Sequence, residues 1–285
     1  MNKSIQYYFF NGEFISNDTP VLTPYELGML RGYGIFDFLR IVDGVPMFLE
    51  DHLDRFFNSA KAMDLKVPYN RKQIIEFIDS LVQINNVGYS GVRLVLTGGF
   101  AKNGFTSIKP NFYLLQHILK ENPSSYFRQG IKLITVDYIR DVPKIKTLNY
   151  GLVLSMQTEI KKRKAFDALF VKDDIISESS RSNFFIVKKS VIITSEENAL
   201  SGITRKQVLE LTKNRYRTEV RPIHIKELKT ADEAFICGST KPLVPVTRVD
   251  DIKIGNGKPG KFTARLRMEF KQRQRDYIQE RLSNG

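Results

Sequence analysis

The sequence predicts an α/β protein of two domains: a small α+β domain over residues 1–120 and a larger mixed α/β domain over 128–285, joined by a linker at 121–127. Three observations carry this. Short apolar runs bounded by Gly, Asn, Asp and Pro alternate with longer runs in which apolar residues recur every three or four positions, the patterns of strands and helices. The stretch "KENPSSYFRQG" (120–130), with Pro123 and two serines in a polar run, is the one convincing break. A chain of 285 residues is long enough for two cores of ordinary size.

Taken in order, "YYFFNGEFI" is a hairpin signalled by Asn11-Gly12, and "YGIFDFLRIVDGVPMFL" is two strands around Asp43-Gly44. In "LEDHLDRFFNSAKAM" the residues Leu49, Leu53, Phe56, Phe57, Ala60 and Met63 fall on one helix face, and "RKQIIEFIDSLVQINN" forms a second helix. "GVRLVLTGG" and "NFYLLQHIL" are strands. After the break, "IKLITVDYI" is a strand, and residues 141–164, "DVPKIKTLNYGLVLSMQTEIKKRK", pass from an extended run to a helical one with apolar positions at Leu148, Leu152, Val153, Met156 and Ile160. Strands with tight turns follow in "DALFVKDDIISES" and "SNFFIVKKSVIITS", then the helix "TRKQVLELTKN", the strand "DEAFICG" and the hairpin "PVTRVDDIKIGNGKPG". Phe262, Leu266, Phe270, Tyr277 and Ile278 mark a terminal helix.

Composition narrows the function classes. Forty-two per cent hydrophobic residues with 20 Phe and 12 Tyr describe a globular protein. No apolar stretch approaches the roughly 18–20 residues that span a bilayer, and Met1–Phe10 lacks a signal-peptide pattern, so a cytoplasmic location is expected. One cysteine, Cys237, excludes an internal disulfide framework, and His52, His117 and His224 lie too far apart for a metal-ligand motif. Lys+Arg 44 against Asp+Glu 31 gives 44 − 31 = +13. Part of that excess lies in "KKRK" (161–164) and along the terminal helix, where a solvated helix face accounts for it better than a nucleic-acid stripe.

Five features carry possible chemistry. Lys146, where an extended run meets a helix, is placed for partial desolvation; that disfavours the ammonium, lowers its pKa from about 10.4 and makes a Schiff-base nucleophile. Glu178 ends an apolar strand in "SESSRSNFF" and precedes Asn183; such an acid is a turn residue or the holder of a charged partner. Gly202-Ile203-Thr204 opens a helix whose free amides and dipole suit an anion, although Thr204 also reads as an ordinary N-cap. Gly238-Ser239-Thr240 follows a strand with further donors, and Arg55 sits at the edge of an apolar helix face. Each is ordinary alone.

Their order is not. A lysine, then about 30 residues on an acid followed by serines and Asn183, then "GIT" before a helix, then "GST…PV" with "IGNGKPG", resembles the fold-type IV pyridoxal-phosphate enzymes, a resemblance that also takes in "RGYGIFDFLR" and "HLDRF". It implies a smaller N-terminal and a larger C-terminal domain with the cofactor between them, and a homodimer. It implies that Lys146 of "KTLNY" carries the cofactor as a Schiff base and moves the proton, with Lys144 a bystander. Glu178 matches the carboxylate that pairs with the pyridine nitrogen. Arg55, Ile203, Thr204, Ser239 and Thr240 match the phosphate ligands, with Asn183, Asn149 and Tyr150 near the cofactor.

The residues that sort the subfamilies disagree. Branched-chain enzymes carry a glycine where this chain has Phe38 in "FDFLR", and lyases a threonine. D-amino-acid aminotransferases carry a larger apolar residue there and a "K-S-L-N" close to "KTLN", yet usually a tyrosine at Phe36 and an Arg-x-His pair absent from "TGGFAKNGF". The substrate carboxylate is therefore expected at Arg31, Arg93 or Arg40. Arg93, interrupting an apolar strand, is expected to be a buried guanidinium in need of an anion. The resulting expectation is a transaminase moving the amino group of a D-amino acid such as D-alanine or D-glutamate to 2-oxoglutarate or pyruvate. The alternatives are a branched-chain L-amino-acid aminotransferase, an aminodeoxychorismate lyase, an (R)-amine transaminase and, from another class, a basic nucleic-acid-binding protein.

Overall fold

The computed structural model describes residues 5–107 and 109–283. These form two compact units. The first holds the described residues up to Lys120, the segment Ile145–Tyr150 and the described residues from Tyr277 on; the second holds Glu121–Lys144 and Gly151–Asp276.

In the first unit, β1 (Tyr7–Phe10) and β2 (Glu13–Ser16) form a hairpin whose turn residues Asn11 and Gly12 have φ of 47° and 110°, the left-handed conformation that an Asn-Gly pair supplies. A short helix α1 (Leu27–Arg31) precedes β3 (Gly34–Val42), which turns at Asp43-Gly44 into β4 (Val45–Pro46). Two amphipathic helices follow, α2 (Leu49–Ala62) and α3 (Arg71–Asn85), the latter started by a reciprocal capping box between Asn70 and Gln73. β5 (Ser90–Thr97) and β6 (Asn111–Ile118) complete a six-stranded sheet of order β2-β1-β6-β5-β3-β4.

Alternation decides what each face of this sheet does. Ile35, Asp37, Leu39 and Ile41 of β3 and Val92, Leu94 and Leu96 of β5 are buried, and their apolar members pack with Leu53 and Phe56 of α2 and Ile74 and Ile78 of α3 in one core. Each fully buried side chain of this kind stabilises the fold by about 1.5–3 kcal/mol. Phe36, Phe38 and Arg40 alternate to the other face, as does Arg93, the register partner of Phe38. The segment Ile145–Tyr150 lies along β3: Phe36 N donates to Lys146 O (2.8 Å) and Leu148 N to Gly34 O (3.0 Å).

The second unit begins with a short helix α4 (Ser124–Gln129) and continues into β7 (Ile131–Asp137), α5 (Gly151–Ser155) and α6 (Gln157–Lys162). Then come β8 (Asp167–Lys172), β9 (Ile175–Ser179), β10 (Ser182–Lys188), β11 (Val191–Thr194) and α7 (Ile203–Thr212). β12 (Thr218–Val220), β13 (Ile223–His224), a 3-10 turn at Ile225–Lys229, β14 (Glu233–Gly238), β15 (Lys241–Val249) and β16 (Ile252–Lys253) lead to α8 (Lys261–Ser283), which runs past Tyr277. The strands form one sheet, β12-β11-β10-β14-β15-β7-β8-β9-β13, with β16 on β15 and β9 also pairing β10. Ile186, Ile193, Ile236, Val244 and Val246 are at its core. Glu233 accepts from the amides of Phe262 (2.9 Å) and Thr263 (2.7 Å), holding the start of α8. Of the five apolar positions expected on this helix, Leu266 and Phe270 are the two that are buried. Among the described residues no helix is long and apolar enough to cross a membrane.

Candidate active site

The first unit presents an amine. Lys146 is half-buried, held at its backbone by β3, and its Nζ lies 4.3 Å from the centroid of the Phe36 ring. Tyr150 meets the same ring edge-on at 5.5 Å. Lys144 belongs to the other unit, is exposed, and donates to the Glu196 carbonyl (2.6 Å). The two lysines that the sequence left side by side are thus put to different uses.

Arg55, on α2, is gripped by a residue the sequence reading passed over. Asp37 projects from β3 into the core side and is fully buried; it accepts from Arg55 Nε and Nη2 at 2.8 Å each, from His52 Nδ1 at 2.6 Å and from the Phe38 amide at 2.7 Å. Burial alone would raise the Asp37 carboxyl, but the adjacent Arg55 guanidinium and His52 hold it well below the usual carboxylate range. Burial pushes His52 the other way, toward the neutral ring, so His52 serves as an uncharged donor to Asp37. An Asp on the core side of an alternating strand was the signal available in "IFDFLR".

Arg93 departs from expectation. It is exposed, because position 93 alternates to the open face of the sheet. Its guanidinium lies 5.5 Å from the Phe36 centroid and 5.8 Å from that of Phe38, and among the described residues it forms no ion pair within 4.0 Å. Arg40, on the same face, is half-buried; burial lowers its pKa and the Tyr89 hydroxyl offsets part of that. Arg31 ends α1, donates to Gly104 O (3.2 Å) and stacks on Phe105 at 4.5 Å.

The second unit presents a carboxylate and an anion cradle. Glu178, buried on β9, accepts from Arg140 Nε (2.9 Å), a partner absent from the sequence reading, and from the amide of Leu200 (3.2 Å). Arg140 also bonds the Pro143 carbonyl. Asn183 stands opposite Glu178 in the β9–β10 register and donates to the Leu200 carbonyl (2.8 Å), so the N–H and the C=O of Leu200 are each held by a residue of the "SESSRSN" motif. That fixes the run into α7. Gly202 caps the helix without a side chain, and a Cβ there would lie 1.9 Å from Asn183 Oδ1.

The first-turn amides of Ile203 and Thr204 have no intrahelical partner and point out of the helix start. Ser239 and Thr240 form the β14–β15 turn, with the Thr240 carbonyl accepting from Asn122 (2.7 Å). Two more basic groups lie here that the sequence did not single out. Arg205, on the first turn of α7, is buried with Nε and Nη2 lacking partners among the described residues. Burial pushes the Lys241 amine down to about 8, Arg181 adds to this, and Asp167, 4.0 Å away, opposes it.

The first unit thus offers an amine beside an aromatic ring, and the second a buried carboxylate held by donors and a helix start without a capping side chain. Comparison with known proteins identifies the family. The family model "Amino-transferase class IV" matches residues 34–249. The chain belongs to the class IV aminotransferases, and the cofactor of that class is pyridoxal phosphate. A Methanocaldococcus jannaschii protein named "Putative branched-chain-amino-acid aminotransferase" is 32% identical over 92% of this chain and 94% of its own length. The D-alanine aminotransferase of Staphylococcus epidermidis is 30% identical over 95% of this chain and 97% of its own. Among solved structures, the T.th. branched-chain amino acid aminotransferase with pyridoxamine 5'-phosphate matches with a TM-score of 0.87 at 25% identity, covering 94% of this chain and 93% of that one. The fold-type IV resemblance holds.

Proposed function

We propose that this aminotransferase moves the amino group of a small D-amino acid, of the D-alanine or D-glutamate type, to a 2-oxo acid such as pyruvate or 2-oxoglutarate. The observation that carries this reading is Arg93: a cation with no acid partner among the described residues, between two phenyl rings, one of which also lies under the Lys146 amine. It suits a substrate carboxylate, and the rings at Phe36 and Phe38 favour a short side chain over a branched one. The D-alanine aminotransferases among the relatives support the hand. A branched-chain L-amino-acid substrate is the second reading, supported by the Methanocaldococcus relative and by the T.th. structure.

In the proposed site Lys146 holds the cofactor and carries a proton to and from the substrate Cα. Bound there, pyridoxal phosphate supplies the electron sink for the carbanion at that carbon. Glu178, oriented by Arg140 and the Leu200 amide, would pair with the pyridine nitrogen. Arg55, the Ile203 and Thr204 amides, the Thr204 hydroxyl, Ser239 and Thr240 hold the phosphate. Asn183 acts through the Leu200 carbonyl that it holds, beside the space left free at Gly202. Arg31 and Arg40 are further candidates for a substrate carboxylate. The protein is proposed to work as a cytoplasmic homodimer.

The test is a half-reaction screen of D- and L-amino acids, watching the visible absorbance of the lysine-bound cofactor give way to that of the amine form. Conversion by D-alanine or D-glutamate but not L-leucine is expected; the reverse pattern moves the assignment to the branched-chain reading. Lys146→Ala abolishes the lysine-bound absorbance, while Lys144→Ala leaves it in place.

A further inference from the structure

On the open face of the first unit's sheet, Phe38 and Gly91 are diagonal neighbours: Phe38 pairs with Arg93, and Gly91 pairs with Arg40 on one side and His117 on the other. The ring of Phe38 leans along the sheet onto Gly91. An ideal Cβ at position 91 would lie 2.1 Å from Phe38 Cζ and 2.8 and 2.9 Å from its two Cε atoms, so the far edge of the ring fills the volume that any side chain at 91 would take. Gly91 is itself buried and its φ lies outside the left-handed range, so its backbone does not require glycine. What requires glycine at 91 is the ring.

The lean also has a direction. Along β3 the open-face residues run Phe36, Phe38, Arg40, and the ring rests at the Arg40 end, away from Phe36, over which Lys146 Nζ lies at 4.3 Å. We propose that Gly91 is a specificity-determining residue: lacking a side chain, it seats the Phe38 ring on the sheet next to Arg93 and keeps that ring from rising into the space above the sheet toward the Lys146 amine. A methyl group at 91 projects from the same face, so the ring lifts off the sheet into that space. The atoms that must move are the tip of one side chain with rotamers to choose from, so the fold tolerates the change.

This rests on the site proposed above, and the experiment separates the two. The loaded enzyme is assayed for kcat/KM with alanine, 2-aminobutyrate and norvaline of whichever hand is active, in the wild type, Gly91→Ala, Phe38→Ala and the double variant. Gly91→Ala is expected to lower norvaline relative to alanine by about tenfold or more, the range over which added methylenes are discriminated. In the Phe38→Ala background the same Gly91→Ala change is expected to leave the norvaline-to-alanine ratio and the Tm where they were.

An equal effect of Gly91→Ala on all three substrates, or an undiminished effect after the ring has been removed, overturns the inference. Should the single variant fail to fold, the comparison of Phe38→Ala with the double variant still decides, because a second loss there shows that position 91 acts through something other than the ring. Loss of the lysine-bound absorbance, or no turnover of any of the three amino acids by the unaltered protein, counts against the proposed function rather than against Gly91.

Discussion

Asp37→Asn removes a single charge from a fully buried, multiply hydrogen-bonded side chain of the first unit. The carboxylate is fully buried, and its four donors are Arg55 Nε and Nη2, His52 Nδ1 and the Phe38 amide, all within 2.8 Å. An asparagine keeps the shape but turns an NH2 toward some of these donors and leaves the Arg55 guanidinium, whose side chain is 10% exposed, without its counter-charge. Breaking one side of a buried pair costs about 3–5 kcal/mol. At about 2–4 °C per kcal/mol, Tm falls by about 6–20 °C in differential scanning fluorimetry. The control is Asp54→Asn, which removes an exposed partner of Arg71 and changes stability by less than about 1 kcal/mol. Because the Asp37 pKa is depressed in the folded protein, its contribution is complete above the unfolded value of about 3.9 and is lost as pH falls through and below it. The stability gap between wild type and variant is therefore constant near neutrality and closes below about pH 4. A variant within about 2 °C of wild type at pH 7 would mean that Arg55 is held by something other than Asp37.

Other residues give outcomes of different kinds. Gly202→Ala puts a methyl 1.9 Å from Asn183 Oδ1 and displaces the start of α7, so cofactor affinity, read by titration of the visible absorbance, falls by about tenfold or more while Tm without cofactor drops little. Arg93→Ala raises KM for the amino substrate by roughly 10–100-fold without loss of cofactor absorbance, the pattern of a lost charge-assisted contact to substrate. Lys241→Met is expected to stabilise the protein at pH 7 by on the order of 1–3 kcal/mol. Its amine, about 8 when folded, binds fewer protons than in the unfolded chain, so wild-type stability rises between about pH 8 and 10.5, a rise that urea melts of the variant lack. Cys237 is fully buried with its thiol pKa pushed up, so a thiol reagent modifies it only after denaturant is added.

The sequence carried the strands, the main helices and the order of chemical groups because each is written locally. Turn residues such as Asn11-Gly12 and the helix start at Gly202 act over a few positions, and a lysine or acid at the end of an apolar run stands out against it. What it concealed is long-range. Nothing near Lys146 says that its backbone lies along β3, and nothing near Glu178 names Arg140 as its partner. The exposure of Arg93 is hidden for a related reason. Its strand reads as continuously apolar because Gly91 and Val95, on the same face as Arg93, are covered as well, and this hides the two-residue period that sends position 93 outward.

The charges of the two units fall into two sorts, and the distinction bears on what each does. Asp37, with Arg55 and His52, and Glu178, with Arg140 and the Leu200 amide, are charges whose partners come from the chain itself; their geometry is set before any ligand arrives. Arg93 and the first turn of α7 are donors with capacity that the described residues of the chain do not fill. A burial penalty for the first sort is met on folding, so substitutions there lower stability whether or not ligand is present. Groups of the second sort meet their partner only on binding, so substitutions there leave the empty protein nearly as stable and reduce the Tm gain that cofactor or substrate confers. Arg55 belongs to both sorts in the proposed site, held by Asp37 and assigned to the phosphate. Arg55→Lys, which keeps the charge and loses the fork, should therefore lower both the Tm of the empty protein and the further rise on adding pyridoxal phosphate. A loss confined to the empty protein would remove Arg55 from the phosphate site and leave it a structural partner of Asp37.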